Sequence, residues 1–181
     1  MIVNQIFIVS TLFKSFKEDV LSGKSKYYDF FTAVKSGTPE VMTEFFREIV
    51  TYVKYQKHPK IVKDAFRELV QLRDIIVLEK LRQLMPIWKD SYYMEYAYLL
   101  ALLENASSGK RCNCDIYKDS TYNVAPYQEE LEIIGRDNHR YDDHFETQIV
   151  YVRCRICTRE WEVEIDDSYH YPHSHWRPKQ K

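Results

Sequence analysis

Four cysteines in two close pairs, Cys112-Asn113-Cys114 and Cys154-Arg155-Ile156-Cys157, are the residues whose type and spacing point most directly to chemistry. Thiolates are soft ligands, and four of them suit tetrahedral Zn²⁺, whose structural sites are filled by protein side chains alone. Such a sphere leaves no position for water, so the ion would hold the fold together rather than catalyse. Two pairs of buried free thiols are the alternative. Disulfides are disfavoured because the sequence reads as lacking a secretory signal. A second group with ligating side chains follows in the tail, where His170, His173 and His175 fall within six residues. They could bind a second metal, replace a cysteine ligand, or make pH-sensitive contacts with a partner. They could equally face water while Tyr169, Tyr171 and Trp176 pack on a sheet.

The residues around the cysteines alternate as strands do. Leu131 and Ile133 alternate with Glu130 and Glu132. Phe145, Thr147, Ile149 and Tyr151 alternate with Glu146, Gln148, Val150 and Val152. Trp161, Val163 and Ile165 alternate with Glu160, Glu162, Glu164 and Asp166. Two antiparallel strands would carry the chain away from one cysteine pair and back to the other, and a third would leave it. This stretch, roughly Lys110 to Asp167, resembles a zinc ribbon, and the resemblance implies that Cys112, Cys114, Cys154 and Cys157 bind one zinc. Three features depart from that pattern: the first pair is C-x-C, Thr158 stands where ribbons often have Gly, and 39 residues separate Cys114 from Cys154. A sheet with so few large apolar residues could not easily fold alone, whereas structural zinc in small peptides contributes an apparent ~10–16 kcal/mol at neutral pH.

Before residue 105 the period changes to that of helices. Ile2, Ile6, Val9, Phe13, Phe16 and Val20 mark one apolar face, Gly23 suits a helix end, and Tyr27, Phe30, Phe31 and Val34 mark a short aromatic helix. Gly37 then closes a helix, Thr38 can cap the next, Pro39 occupies its first turn and Glu40 complements its dipole. Val41, Phe45, Ile49 and Tyr52 form one stripe, and Met42, Phe46, Val50 and Val53 an adjacent one, up to the break at His58-Pro59. A longer helix is expected from Ile61 to Leu84, with Leu72 and Ile76 among its core residues and Pro86 after it. A last helix carries Tyr92, Tyr96, Leu99, Leu100 and Leu103. Five such helices would form a bundle or a short HEAT-like stack of hairpins.

The expected architecture is therefore α+β. An all-α domain over residues 1–105 precedes a small antiparallel zinc-ribbon-like domain with a histidine-rich tail over residues 110–181, joined near Asn105–Gly109. The chain of 181 residues, with 45% hydrophobic and 29% charged residues, excludes a disordered or collagen-like protein. No apolar run reaches the ~20 residues of a membrane span, and the cytoplasm is the expected compartment. Net charge is −1 overall. The part from Lys110 onward holds 11 basic and 14 acidic side chains, which disfavours nucleic acid because phosphate contacts need a basic face. Arg153, Arg155 and Arg159 are the one local cluster that would support such binding.

Enzyme motifs are missing: no phosphate-binding glycine loop, G-x-S-x-G or H-E-x-x-H occurs. Asp115, Asp119, Glu129 and Glu130 gather near Tyr117 and Tyr122, but nothing in the sequence sets two of them around a substrate. The expected function is a non-catalytic, protein-binding module, similar in general character to small bacterial immunity proteins that cover a partner toxin. Tyr92, Tyr93 and Tyr96, the strand face of Glu160, Glu162 and Glu164, and His170, His173 and His175 are the candidate contacts. A core-capping role for the tyrosines and a solvated face for the glutamates are the plain alternatives. The competing functions are a nucleic-acid-binding ribbon and a metal enzyme built on the histidine tail.

Overall fold

The computed structural model describes residue 18 and residues 38–51, 59–88, 93–140, 146–167 and 170–179. The helices expected before Gly37 lie outside the described residues, as does Tyr92. The chain separates into two compact units, Met1–Leu99 and Leu100–Lys181. Together they give an α+β protein in which helices precede a four-stranded antiparallel sheet.

In the first unit, α1 runs over Pro39–Thr51 and α2 over Pro59–Gln71, and the two pack on one another. Thr38 begins α1 as its sequence suggests: its carbonyl accepts from the Met42 N–H at 3.0 Å, with Pro39 first inside the helix. Both apolar stripes of α1 are used, because Phe45, Phe46, Ile49 and Val50 are all buried. They meet Val62, Ala65, Phe66 and Leu69 as buried residues of the same unit.

The single long helix expected from Ile61 to Leu84 is not formed. It breaks at Leu72–Asp74, after which come a 3₁₀ turn, Ile75–Val77, and α3, Leu78–Leu84. The cause is local and tertiary together. Arg73 takes a left-handed backbone (φ 54°), and Asp74 caps the 3₁₀ turn by accepting from the Ile76 N–H. Asp74 is 8% exposed and receives a two-pronged ion pair from Arg47 of α1, at 2.6 and 2.7 Å. Leu72 and Ile76, read from sequence as core, are therefore turned out, with Ile76 71% exposed. A second 3₁₀ turn, Met85–Trp88, follows α3, and α4 spans Tyr93–Ser107. Tyr96 of α4 stands edge-on to Phe66 with ring centroids 6.2 Å apart.

The second unit holds the sheet. After a single helical turn, α5 (Cys114–Tyr117), come β1 (Leu131–Arg140), β2 (Glu146–Cys154), β3 (Glu160–Asp166) and β4 (His173–Pro178), hydrogen-bonded in that order. Four strands replace the expected three, because the histidine tail pairs with β3. Register puts Val152 opposite Trp161, Val150 opposite Val163, and Trp176 opposite Val163 from the other side. One face of the sheet is therefore apolar. Tyr117 packs on Trp176 at 5.8 Å, and Trp176 in turn stands edge-on to Trp161 at 6.2 Å. The Trp176 indole N–H donates to the Val124 carbonyl at 2.7 Å, which ties the segment before β1 to this face. β1 carries a bulge between Ile133 and Gly135, and Gly135 faces Tyr151, where a Cβ would lie 3.2 Å from the ring. Among the described residues, no helix is long and apolar enough to cross a membrane.

Candidate metal centre

The two cysteine pairs come from separate parts of the second unit, one ahead of the sheet and one between its second and third strands. Cys112 lies in the loop after α4, and Cys114 opens α5, whose single turn places Cys114 and Tyr117 together in the buried layer. Cys154 ends β2, and Cys157 sits in the turn to β3. That turn is closed by hydrogen bonds from the Cys154 N–H to the Arg159 carbonyl and from the Thr158 N–H to the Cys154 carbonyl, both 2.9 Å. Thr158 adopts a left-handed backbone (φ 60°), a conformation that costs a β-branched residue and that glycine takes freely. Its hydroxyl donates to the Cys157 carbonyl at 2.7 Å.

All four sulfurs lie within 4.8 Å of one another. Cys112 Sγ is 3.3 Å from Cys157 Sγ and 3.6 Å from Cys154 Sγ, and Cys114 Sγ is 3.7 Å from Cys157 Sγ. These separations far exceed the ~2.05 Å of a disulfide. Sulfurs bound at ~2.3 Å around a tetrahedral ion stand about 3.8 Å apart. The cluster can thus hold one metal ion. Among the described residues it is the one set of three or more Cys, His, Asp or Glu side chains gathered for that purpose.

Donors already point at the sulfurs. The Cys114 N–H reaches Cys112 Sγ at 3.3 Å, the Cys157 N–H reaches Cys154 Sγ at 3.5 Å, and Arg159 Nε reaches Cys157 Sγ at 3.4 Å. Hydrogen bonds of this kind favour the thiolate. As thiols the group is uneven. Burial pushes Cys112 and Cys114 up, Cys114 far more strongly. Burial opposes ionisation of Cys157 too, but the Arg159 side chain and backbone, with the neighbouring thiols, bring it down to about 6.

A polar brace holds the first knuckle. Asn105, on the last turns of α4, donates to the Cys112 carbonyl at 2.9 Å and to Asn113 Oδ1 at 2.8 Å. Asn113 donates to Glu130 at 2.9 Å, and the same carboxylate oxygen accepts from the Tyr117 hydroxyl. The second knuckle is braced through charge: Asp115 meets Arg159 at 3.1 Å and Lys118 at 3.0 Å, and these cations hold its carboxyl down at about 2. Of these residues, Asn105 and Asn113 were not singled out in the sequence as supports; neither has a periodicity that marks it.

The other candidate residues fall elsewhere. Glu160, Glu162 and Glu164 share one face of β3, with Trp161, Val163 and Ile165 buried on the other. β3 is an interior strand, paired on both sides. The glutamates face cations of neighbouring strands: Glu160 pairs with Arg153 (2.6 Å) and Lys179 (3.2 Å), and Glu164 with Arg177 (3.2 Å). His173 and His175 stand opposite Asp166 and Glu164 in the β4 register, on that same outer face, and His170 is exposed ahead of the strand. The three imidazoles are not brought to the cysteines. Tyr93 is 49% exposed, whereas Tyr96 is 1% exposed and belongs to the core of the first unit. Of the three arginines that favoured nucleic acid, Arg153 is held by Glu160 and Arg159 by Asp115, which leaves Arg155.

No protein-family model, no curated protein and no solved structure matches this chain.

Proposed function

We propose that this is a non-catalytic protein-binding module whose sheet unit is stapled by one structural Zn²⁺ on Cys112, Cys114, Cys154 and Cys157. The closed four-sulfur sphere carries this reading. With every coordination position taken by protein, the ion has no site for water or substrate, and its role is to hold two knuckles together. Zinc fits best among tetrahedral thiolate ions because it brings no redox chemistry, and four free thiols suit a reducing compartment such as the cytoplasm.

Binding to another protein is supported by exposed aromatic side chains: Tyr93, Tyr127 and Tyr171 are each about half exposed or more. Tyrosine supplies contact area at little entropic cost and is enriched at interfaces. The mode of action would be occlusion of a partner's working surface, as in the immunity proteins whose general character the sequence shares. Nucleic acid is less favoured, since two of the three candidate arginines are occupied by carboxylates.

Native mass spectrometry of the chain captured from its own cells tests both halves. One zinc per chain together with a stoichiometric protein partner is expected. A chain free of metal, or one whose bound component is RNA or DNA, would overturn the reading.

A further inference from the structure

The four sulfur-bearing residues of the metal centre are not equivalent. Cys114 and Cys154 are 0% exposed, whereas Cys112 and Cys157 are only half-buried. The backbone divides them in the same way. Cys114 opens α5 and Cys154 ends β2, while Cys112 lies in the loop before α5 and Cys157 in the turn to β3. A small oxidant therefore meets one cysteine from each knuckle, and neither of these two is held inside a helix or a strand.

Their sulfurs also face one another. Cys112 Sγ and Cys157 Sγ lie 3.3 Å apart, closer than Cys112 to Cys154 (3.6 Å) or Cys114 to Cys157 (3.7 Å). A bond of ~2.05 Å between them needs the smaller movement.

A cation stands at the same place. Arg159 Nε donates to Cys157 Sγ at 3.4 Å, and the Arg159 side chain is 46% exposed. Thiolates that react with oxidants are part-exposed and lie beside positive charge, whereas buried ones are inert. The guanidinium can also steady the negative charge that appears on a departing oxygen.

We propose that Cys112 and Cys157 are a site of reversible oxidation by hydroperoxides, and that the disulfide they form opens the sulfur sphere and releases the Zn²⁺. The inference rests on the reading of the four cysteines as a structural zinc centre. Cys157 Sγ attacks the terminal oxygen of ROOH. The S–O bond forms as the O–O bond breaks, and ROH leaves with a proton from water. Cys112 Sγ then attacks the Cys157 sulfur, forming the S–S bond and expelling hydroxide, which a second proton converts to water. Each sulfur gives up one electron and the peroxide takes both. The sphere has then lost two of its four ligands, and Cys114 and Cys154 alone do not complete a structural site. Because the new bond joins residues 45 apart, the two knuckles stay tethered while the metal is away. A thiol reductant and fresh zinc restore the centre.

The test uses the full-length wild-type chain, because replacing any of the four cysteines also removes a metal ligand. Metal content is measured first. Equimolar hydrogen peroxide is then added, and zinc release is followed with a chromogenic chelator. Remaining thiols are blocked under denaturing conditions and the digest is mapped without reduction. Trypsin separates Cys154 from Cys157 at Arg155, and fragment spectra separate Cys112 from Cys114. The expected product is a Cys112–Cys157 disulfide with one zinc lost per bond, and reductant with added zinc should return both the metal and the β circular dichroism. In metal-loaded protein, a first linkage that includes Cys114 or Cys154, zinc loss without a disulfide, or a disulfide without zinc loss would overturn the proposal. Inertness to peroxide, or a loss that reduction does not reverse, would overturn it as well. A chain that carries no metal before oxidant is added, yet links Cys112 to Cys157, overturns the functional reading alone.

Discussion

In α1 and α2, Phe45, Phe46, Ile49, Val50, Val62, Phe66 and Leu69 are all buried to 1% exposure or less. In the second unit the equally buried positions are Leu103 of α4 and, in and around the sheet, Val150, Val152 and Val163 together with the Cys114 and Cys154 thiols. Large side chains dominate the first set and small ones the second. Full burial of a large aliphatic or aromatic side chain contributes roughly 1.5–3 kcal/mol, so the helices have the means to hold themselves. The sheet adds Trp161 and Trp176 and the Asn105–Asn113–Glu130–Tyr117 brace, and under the proposed function it draws the remainder from a metal ion held by the four cysteines. Two neighbouring stretches of one chain thus depend on different interactions, and each should fail under a different insult.

Removing the metal is the most severe way to separate them. Cys154→Ser, or a strong chelator, should abolish the folded sheet while the helices of residues 39–88 persist. The scale is set by the ~10–16 kcal/mol apparent contribution of structural zinc in small domains. Circular dichroism and metal analysis on the same sample would show it, and retention of both metal and β signal would refute the assignment. Phe46→Ala should act on the other side of the comparison, costing about 3–5 kcal/mol in the helical unit without releasing metal. Denaturant unfolding monitored with zinc stoichiometry reads both effects.

Asp74→Ala is smaller. It removes the acceptor for the Ile76 N–H and leaves Arg47 without its partner, at a cost of about 1–3 kcal/mol. Hydrogen exchange should report the loss at the α2–α3 junction and leave the sheet unchanged. Thr158→Gly is expected to stabilise, by up to about 1 kcal/mol, since it relieves a left-handed β-branched residue at the cost of one hydroxyl hydrogen bond. Slower metal transfer to a chelator is the observable.

The smallest effect concerns Glu40. Its carboxyl is lowered by the backbone N–H at the start of α1 and by Thr38. A folded value below the unfolded one means the contribution is fully present above the ordinary carboxylate range and is lost as pH falls through the lowered value. Glu40→Gln should therefore narrow the difference in stability between pH 7 and pH 3, measured by thermal melts.

What could be read from residues alone divides along the same line. Periodicity and end signals reveal α1, because Thr38-Pro39 and two full stripes are local properties. The cysteine pairs and the alternation of β1 to β3 are local too. The break at Leu72–Asp74 is not, since apolar spacing runs on through Ile76 while a left-handed Arg73 and a partner 27 residues earlier decide the geometry. β4 was legible in principle: Ser174 and Trp176 point inward and His173, His175 and Arg177 outward, a clean alternation. Pro172 and Pro178 at its ends, and three imidazoles that invite a chemical reading, concealed it. The Asn105 brace has no sequence signature, because its partners are chosen by the meeting of a helix end with a knuckle.

The cysteine cluster meets the β1–β2 ladder at one end only. Leu131 pairs with Cys154 beside the sulfurs, while Arg140 pairs with Glu146 nine residues further along β1, roughly 30 Å away at strand rise. Rigidity imposed at one end decays along such a ladder, with the bulge at Ile133/Gly135 as its first interruption. Amide exchange rates should therefore rise along β1 from Leu131 toward Arg140, like a zip pinned at its base. Chain lengthening at the far end would be tolerated thermodynamically, because doubling a loop adds only about 0.6 kcal/mol of closure entropy.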